Sequence, residues 1–322
     1  MRVRIFLVLL LATACAHAPA PQPLPTLAAG IQVIDAAPEK GFNFPYLLRL
    51  PAHRPAGTSY LLVEPNNTGK VSDDLAVHLA AAKDLAEKAI GGYVATKLDL
   101  PLLVPVFPRP ETDWQLYTHM LDRDTMLIER GPLRRVDLQL LAMIDDARAR
   151  LSASGFPVEE KVLLTGFSAS GTFSNRFTLL HPERVRAVAT GGLNGLLMIP
   201  ARTLDSVALP FPLGLADLEK VAGSRFDEAA WRRVPQFIYM GALDDNDALR
   251  FDDGYTDPER AIVFHVIGDK MQPDRWQRVQ TLYREAGANA TFHTYEGVGH
   301  WTDGKINDEL TEFFRGFIAG TK

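Results

Sequence analysis

Residues 161–173 read KVLLTGFSASGTF, and the fold turns on how this stretch is read. An apolar run, Val162–Leu164, enters the polar stretch GFSASG at 166–171. A helix-like run, GTFSNRFTLLHPERV, leaves it. A strand that passes at once into a helix must fold sharply back on itself. The residues two before and two after the turning residue must then be small, and the turning side chain is thrust outward. A hydroxyl is a poor nucleophile unless it is exposed in this way beside a base. Two serines compete for the position. Ser168 has Gly166 before it and Ser170 after it, whereas Ser170 has Ser168 and the bulkier Thr172 and already lies in the first helical turn. Ser168 is therefore the candidate nucleophile. Ser170 stands where G-x-S-x-G has its second glycine, with Gly171 beside it to relax the packing. Taken alone, a Gly/Ser turn linking strand to helix explains the stretch equally well.

Outward from this turn the chain alternates. Strand-like runs are IQVID, PYLLRLP, SYLLVEP, LLVPVF, KVLLTG, RAVATGG, QFIYMG and TFHTYEG. Several are continuously apolar, as expected of strands buried on both faces. SDDLAVHLAAAKDLAEKA reads as a helix with a capping serine and an acidic first turn. RRVDLQLLAMIDDARARL and RWQRVQTLYREAG carry the same periodicity. The first two strand-like runs have no helix between them and pair as a hairpin. The pattern predicts an α/β domain over 31–322, with a mostly parallel central sheet and helices on both faces. Residues 192–233 interrupt the rhythm as a cap-like insertion between two late strands, either a lid or a surface excursion.

Two further motifs lie downstream. VPQFIYMGALDDND is an apolar strand ending in Gly241, followed by Asp244, Asp245 and Asp247. TFHTYEGVGHW is a strand followed by a turn that carries His300. The order serine, acid, histidine, each just beyond a strand, resembles that of the α/β-hydrolase superfamily from about residue 31 to the end. PNNTG, GFSASG and GVGH are also similar to secreted polyhydroxyalkanoate-depolymerase-like and feruloyl-esterase-like serine esterases.

The resemblance implies an α/β-hydrolase fold and a Ser-His-Asp triad of Ser168, His300 and an acid. The family's G-x-x-D spacing after the strand glycine points to Asp244, with Asp245 and Asp247 as alternatives; Asp247 also suits a loop pin or helix cap. The oxyanion needs preorganised N–H donors. One is the main chain of Ala169, after the nucleophile. The other comes from the loop EPNNTGKVSDD, at Asn67 or at Asn66. Of the other seven histidines, His17 falls in the tether, His78 in a helix, His293 in a strand and His181 in a helix-ending pattern, His53 and His265 lack a neighbouring catalytic context, and His119 follows a strand and suits a pocket wall. Arg109, Trp114 and Tyr117 are further wall candidates, and Trp301 a packing partner of His300.

Composition narrows the classes. A net charge of −5 gives no reason to expect nucleic acid as a partner. There is no metal or cofactor motif; a single cysteine, Cys15, excludes an internal disulfide and a Cys-based zinc site. MRVR followed by IFLVLLLATA reads as a signal peptide over 1–14, too short to span a membrane. LATAC resembles a bacterial lipobox that would lipidate Cys15, with 15–30 as a Pro/Ala tether; AHA at 16–18 offers ordinary cleavage and a soluble secreted product instead. The expected product is an exported protein, touching membrane only through its lipid. It would cleave small-molecule or polymeric carboxylic esters. A serine peptidase or amidase on the same fold, and a catalytically silent surface binding protein, are the competing readings.

Overall fold

In the computed structural model, residues 27–53, 59–67 and 69–318 are described; the proposed signal, Cys15 and most of the tether lie outside them. The chain opens with β1 (Gly30–Ile34), β2 (Tyr46–Leu50) and β3 (Leu62–Val63), then α1 (Leu75–Lys88), α2 (Ile90–Leu98) and β4 (Leu102–Pro105). Next come α3 (Arg123–Met126), α4 (Val136–Ala153), β5 (Val162–Phe167), α5 (Ala169–Leu180) and β6 (Val185–Gly191). The insertion holds β7 (Thr203–Leu204), β8 (Val207–Ala208), α6 (Leu218–Ala222) and α7 (Glu228–Arg232). The chain closes with β9 (Gln236–Gly241), α8 (Asp257–Val266), α9 (Trp276–Glu285), β10 (Ala290–Tyr295) and α10 (Gly304–Ile318).

Eight strands form one sheet in the order β1-β2-β4-β3-β5-β6-β9-β10. β1 and β2 form the expected antiparallel pair, β2 also runs antiparallel to β4, and every later pairing is parallel. Alternation along each buried strand explains the continuous apolar runs. Val63, Leu103 and Leu164 face a core packed by α4, α5 and α9, whereas Leu62, Leu102 and Leu163 face one packed by α1, α2 and α10.

Three sequence expectations change. The first predicted helix, over 72–89, is α1, and a second helix that the sequence reading did not contain, α2, follows it directly after Ala89. The N-cap of α1 is Asp74, whose carboxylate accepts from Ala76 N–H at 2.9 Å; Ser72, two residues earlier, instead accepts from Asp74 N–H. The insertion is built into the core, not draped over the surface. Leu193, Leu196–Ile199, Leu209, Phe211, Leu213 and Trp231 are all buried with α5 and α9.

Helix α5 is buried along its whole length despite its polar sequence. Its polar side chains bond within the protein, as burial demands, with Arg176 Nε the exception. Asn175 donates to Tyr283 Oη at 2.8 Å and accepts from Met198 N–H at 3.0 Å. Arg176 donates to Tyr255 Oη at 2.8 Å and to Met120 O at 3.1 Å. These bonds fasten the helix that begins beside Ser168 to the insertion and to the loop after β4.

Candidate active site

The turn between β5 and α5 is as sharp as the sequence requires. Ser168 has φ 63° and ψ −131°, a conformation non-glycine residues adopt only when the surroundings enforce it. Its N–H donates to Gly191 O at 3.0 Å and its carbonyl accepts from Thr172 N–H at 3.0 Å. The crowding falls on two glycines. A Cβ at Gly166 would stand 2.4 Å from Ser170 O, and one at Gly171 would stand 2.6 Å from Gly191 O. Ser170 turns its hydroxyl inward, accepting from Phe167 N–H at 3.0 Å and donating to Phe167 O at 2.8 Å.

Ser168 opens into a cavity of about 510 Å³ that also receives His300, Asn67, Arg109 and Tyr117. His300 Nδ1 lies 3.0 Å from both carboxylate oxygens of Asp244. The Asp244 side chain is 1% exposed and that of His300 24%, so the acid is sealed behind the ring. A carboxylate on Nδ1 sets the proton there and leaves the Nε2 lone pair facing the pocket. Asn246 Nδ2 donates to Nε2 at 3.0 Å, and Asn246 N–H donates to Asp244 Oδ1 at 3.1 Å. The Ser168 hydroxyl donates to Asn194 Oδ1 at 3.2 Å. Ser168 and His300 thus share one cavity, each bonded to an asparagine.

The other acids are placed differently. Asp245 is exposed. Asp247 is buried 2.5 Å from Arg275 Nη2 and caps a short helical turn through Leu249 N–H. It pins the loop, the second of its two sequence readings.

At the elbow, Ala169 is the first residue of α5, so its N–H is one of the helix's free N-terminal donors. Asn67 lines the cavity and its side chain accepts from Gly69 N–H at 3.3 Å. Asn66 is buried and ties the loop after β3 to the loop after β4, donating to Phe107 O at 2.8 Å and accepting from Phe107 N–H at 3.1 Å. Beside it is Glu64, whose carboxyl burial pushes up to about 8 against an opposing bond from Gly91 N–H at 2.9 Å.

The wall candidates divide. Arg109 and Tyr117 do line the cavity, with the guanidinium 3.6 Å from the Tyr117 ring centre and paired with Asp253. Trp114 does not, and is 46% exposed on the loop. Trp301 is 54% exposed and folds over Gly299, where no Cβ obstructs it; the ring against His300 is Phe167, 4.8 Å away. His119 is buried away from the cavity, 2.8 Å from Phe107 O, and burial lowers it to about 3, which keeps it neutral. From the insertion, only Asn194 reaches the cavity wall. Asn194, Asn246 and Asp253 were missed in the sequence. The one available signal, for Asn194 and Asn246, was their position just past the carboxyl ends of β6 and β9, where open α/β sheets bind ligands.

No known family model matches the chain, and no curated protein matches its sequence. Solved structures do. The chain is similar to poly(aspartic acid) hydrolase-1 from Sphingomonas sp. KT-1, at 16% identity and a TM-score of 0.60, over 91% of this chain and 100% of that one. It is also similar to LpqC, a poly(3-hydroxybutyrate) depolymerase from Bordetella parapertussis, at 19% identity and a TM-score of 0.58, over 90% and 91%. Likeness at these identities is one of fold, and the fold is that of the α/β-hydrolases.

Proposed function

We propose that, on this α/β-hydrolase fold, the chain is a serine hydrolase of carboxylic esters, small or polymeric. The observation that carries the reading is the His300 ring, held by both oxygens of Asp244 on one side and opening Nε2 toward the cavity that holds the Ser168 hydroxyl.

In the proposed cycle Ser168 rotates its hydroxyl from Asn194 to His300 Nε2. The oxygen attacks the ester carbonyl as the imidazole takes its proton. Asp244 keeps the tautomer and stabilises the imidazolium. Main-chain N–H groups of Ala169 and Asn67 receive the oxyanion. The imidazolium protonates the departing alcohol, and water then hydrolyses the acyl-enzyme by the same route. Arg109, Tyr117 and Asp253 give the cavity a polar wall, which suits a substrate carrying hydrogen-bonding groups beside the scissile bond.

A fluorophosphonate probe tests the nucleophile. Wild type is expected to be labelled and Ser168→Ala not; equal labelling of both removes the claim. A panel of p-nitrophenyl esters against peptide anilides tests the bond. Faster turnover of the anilides would replace ester by amide in this reading.

A further inference from the structure

The asparagines in the site form a directed chain. Nδ1 of His300 faces the Asp244 carboxylate, so Nε2 must accept. That orients the Asn246 amide with its nitrogen toward Nε2 at 3.0 Å, and the same nitrogen lies 3.5 Å from Asn194 Oδ1. Asn194 therefore turns its oxygen to the site, and Ser168 donates to it at 3.2 Å. The backbone around this acceptor is fixed. Asn194 is 4% exposed; its N–H donates to Thr172 Oγ1 at 3.2 Å, its carbonyl accepts from Tyr255 Oη at 3.4 Å, and Arg275 Nε holds Gly195 O at 3.0 Å.

We infer that Asn194 orients the water that hydrolyses the acyl-enzyme, an assignment that rests on the serine-hydrolase reading above. Acylation replaces the Ser168 proton by an acyl group, so Asn194 Oδ1 loses its closer donor and keeps Asn246 Nδ2 at 3.5 Å at the step that creates the need for water. The incoming water gives one hydrogen to His300 Nε2. Its second O–H gains from an acceptor placed beside Nε2. Asn194 Oδ1 is the acceptor that acylation has just freed. One two-donor atom, Asn246 Nδ2, already bridges His300 Nε2 and Asn194 Oδ1, which is the pair of contacts the water makes. Asn246 sits on the half-buried part of the acid loop and turns aside for it. The water oxygen bonds to the acyl carbon as its proton passes to Nε2. The carbon–oxygen bond to Ser168 then breaks, the serine oxygen recovers that proton, and the free acid leaves.

Methanol separates this role from a structural one. It carries a single O–H, which goes to His300, and needs no second acceptor. The ratio of methyl ester to free acid formed from p-nitrophenyl butyrate at fixed methanol depends on the acyl-enzyme alone, whatever happens to acylation. In Asn194→Ala and in the similarly sized Asn194→Leu this ratio is expected to rise about tenfold, the worth of one hydrogen bond in the transition state. Asn194→Asp, which keeps the acceptor, is expected to stay within about twofold of wild type. Either apolar variant suffices if the other does not fold. An unchanged ratio, with acyl adduct on Ser168 seen by mass spectrometry after acid quench, overturns the role of Asn194 and leaves the hydrolase reading standing. Turnover by wild type through another residue, with no adduct ever on Ser168, overturns both.

Discussion

Replacing Asp244 by asparagine tests the site at its most discriminating point. Asp244 accepts His300 Nδ1–H on both oxygens, and Oδ1 accepts Asn246 N–H as well. An amide retains one acceptor and brings an NH2 group. If its oxygen stays with Asn246 N–H, the NH2 meets Nδ1 and drives the imidazole to the other tautomer. The lone pair then leaves the cavity and Ser168 has no base. The expected loss in kcat is about 10⁴-fold, roughly 5.5 kcal/mol of transition-state stabilisation. Folding should lose less, about 1.5–3 kcal/mol for one charge-assisted bond. Asp247→Asn is expected to do the reverse. It leaves Arg275, 1% exposed, without its buried partner, at a cost of about 3–5 kcal/mol in stability. Turnover per folded molecule should stay within about tenfold. Asp245→Asn, on an exposed residue, should change neither. The assay is kcat on p-nitrophenyl acetate per site titrated with fluorophosphonate, with urea melts alongside. If Asp247→Asn lost four orders of magnitude while Asp244→Asn stayed within tenfold of wild type, the acid would be Asp247 and not Asp244.

Three further outcomes are expected. Gly166→Ala puts a methyl 2.4 Å from Ser170 O and 2.8 Å from Gly171 N, atoms of the backbone that cannot yield alone. It should open the elbow, destabilise by about 1–3 kcal/mol and abolish probe labelling; full labelling at wild-type rate would show that the elbow tolerates it. Glu64 has a folded pKa of about 8 against an ordinary 4.5, so its contribution is complete below about pH 4.5 and is lost as pH rises toward 8. Glu64→Gln, which keeps an acceptor for Gly91 N–H, should flatten that decline by up to roughly 5 kcal/mol. Urea unfolding at pH 5 and pH 8 checks this, and identical pH slopes in the two proteins would contradict it. For the proposed lipid anchor, Cys15→Ser should abolish palmitate labelling and release the protein from membranes; unchanged fractionation would favour the soluble secreted form.

The sheet was legible because its strands are buried on both faces. Leu62–Val63, Leu102–Leu103 and Leu163–Leu164 each send neighbours to opposite cores, so no polar residue interrupts the run. The proposed triad was suggested by an order of motifs, each past a strand end. Other features depended on contacts that no local pattern carries. Asp74 outcompetes Ser72 as a cap because its carboxylate reaches Ala76 N–H, while the serine is spent on Asp74 itself. Trp301 looked like a partner for His300 by adjacency, but the bare Cα of Gly299 gives the indole a nearer seat. Asn194 and Asn246 come together from separate loops, and an amide in a loop leaves no periodic trace.

Ser170 shows how a motif is satisfied by its physics and not by its letters. The second glycine of G-x-S-x-G is there to avoid a collision where helix and strand approach. Here the closest approach has moved along by one: it is Gly171 that a Cβ would press to 2.6 Å from Gly191 O. Position 170 is left with room for a side chain that bonds both ways to Phe167. Those two bonds tie the first turn of α5 to the end of β5, across the residue whose backbone is strained. A glycine at 170 would restore the pattern and remove the tie. The hydroxyl therefore offsets part of the cost of holding Ser168 at φ 63°, and the apparent departure from the pattern supports the conformation on which the proposed nucleophile depends.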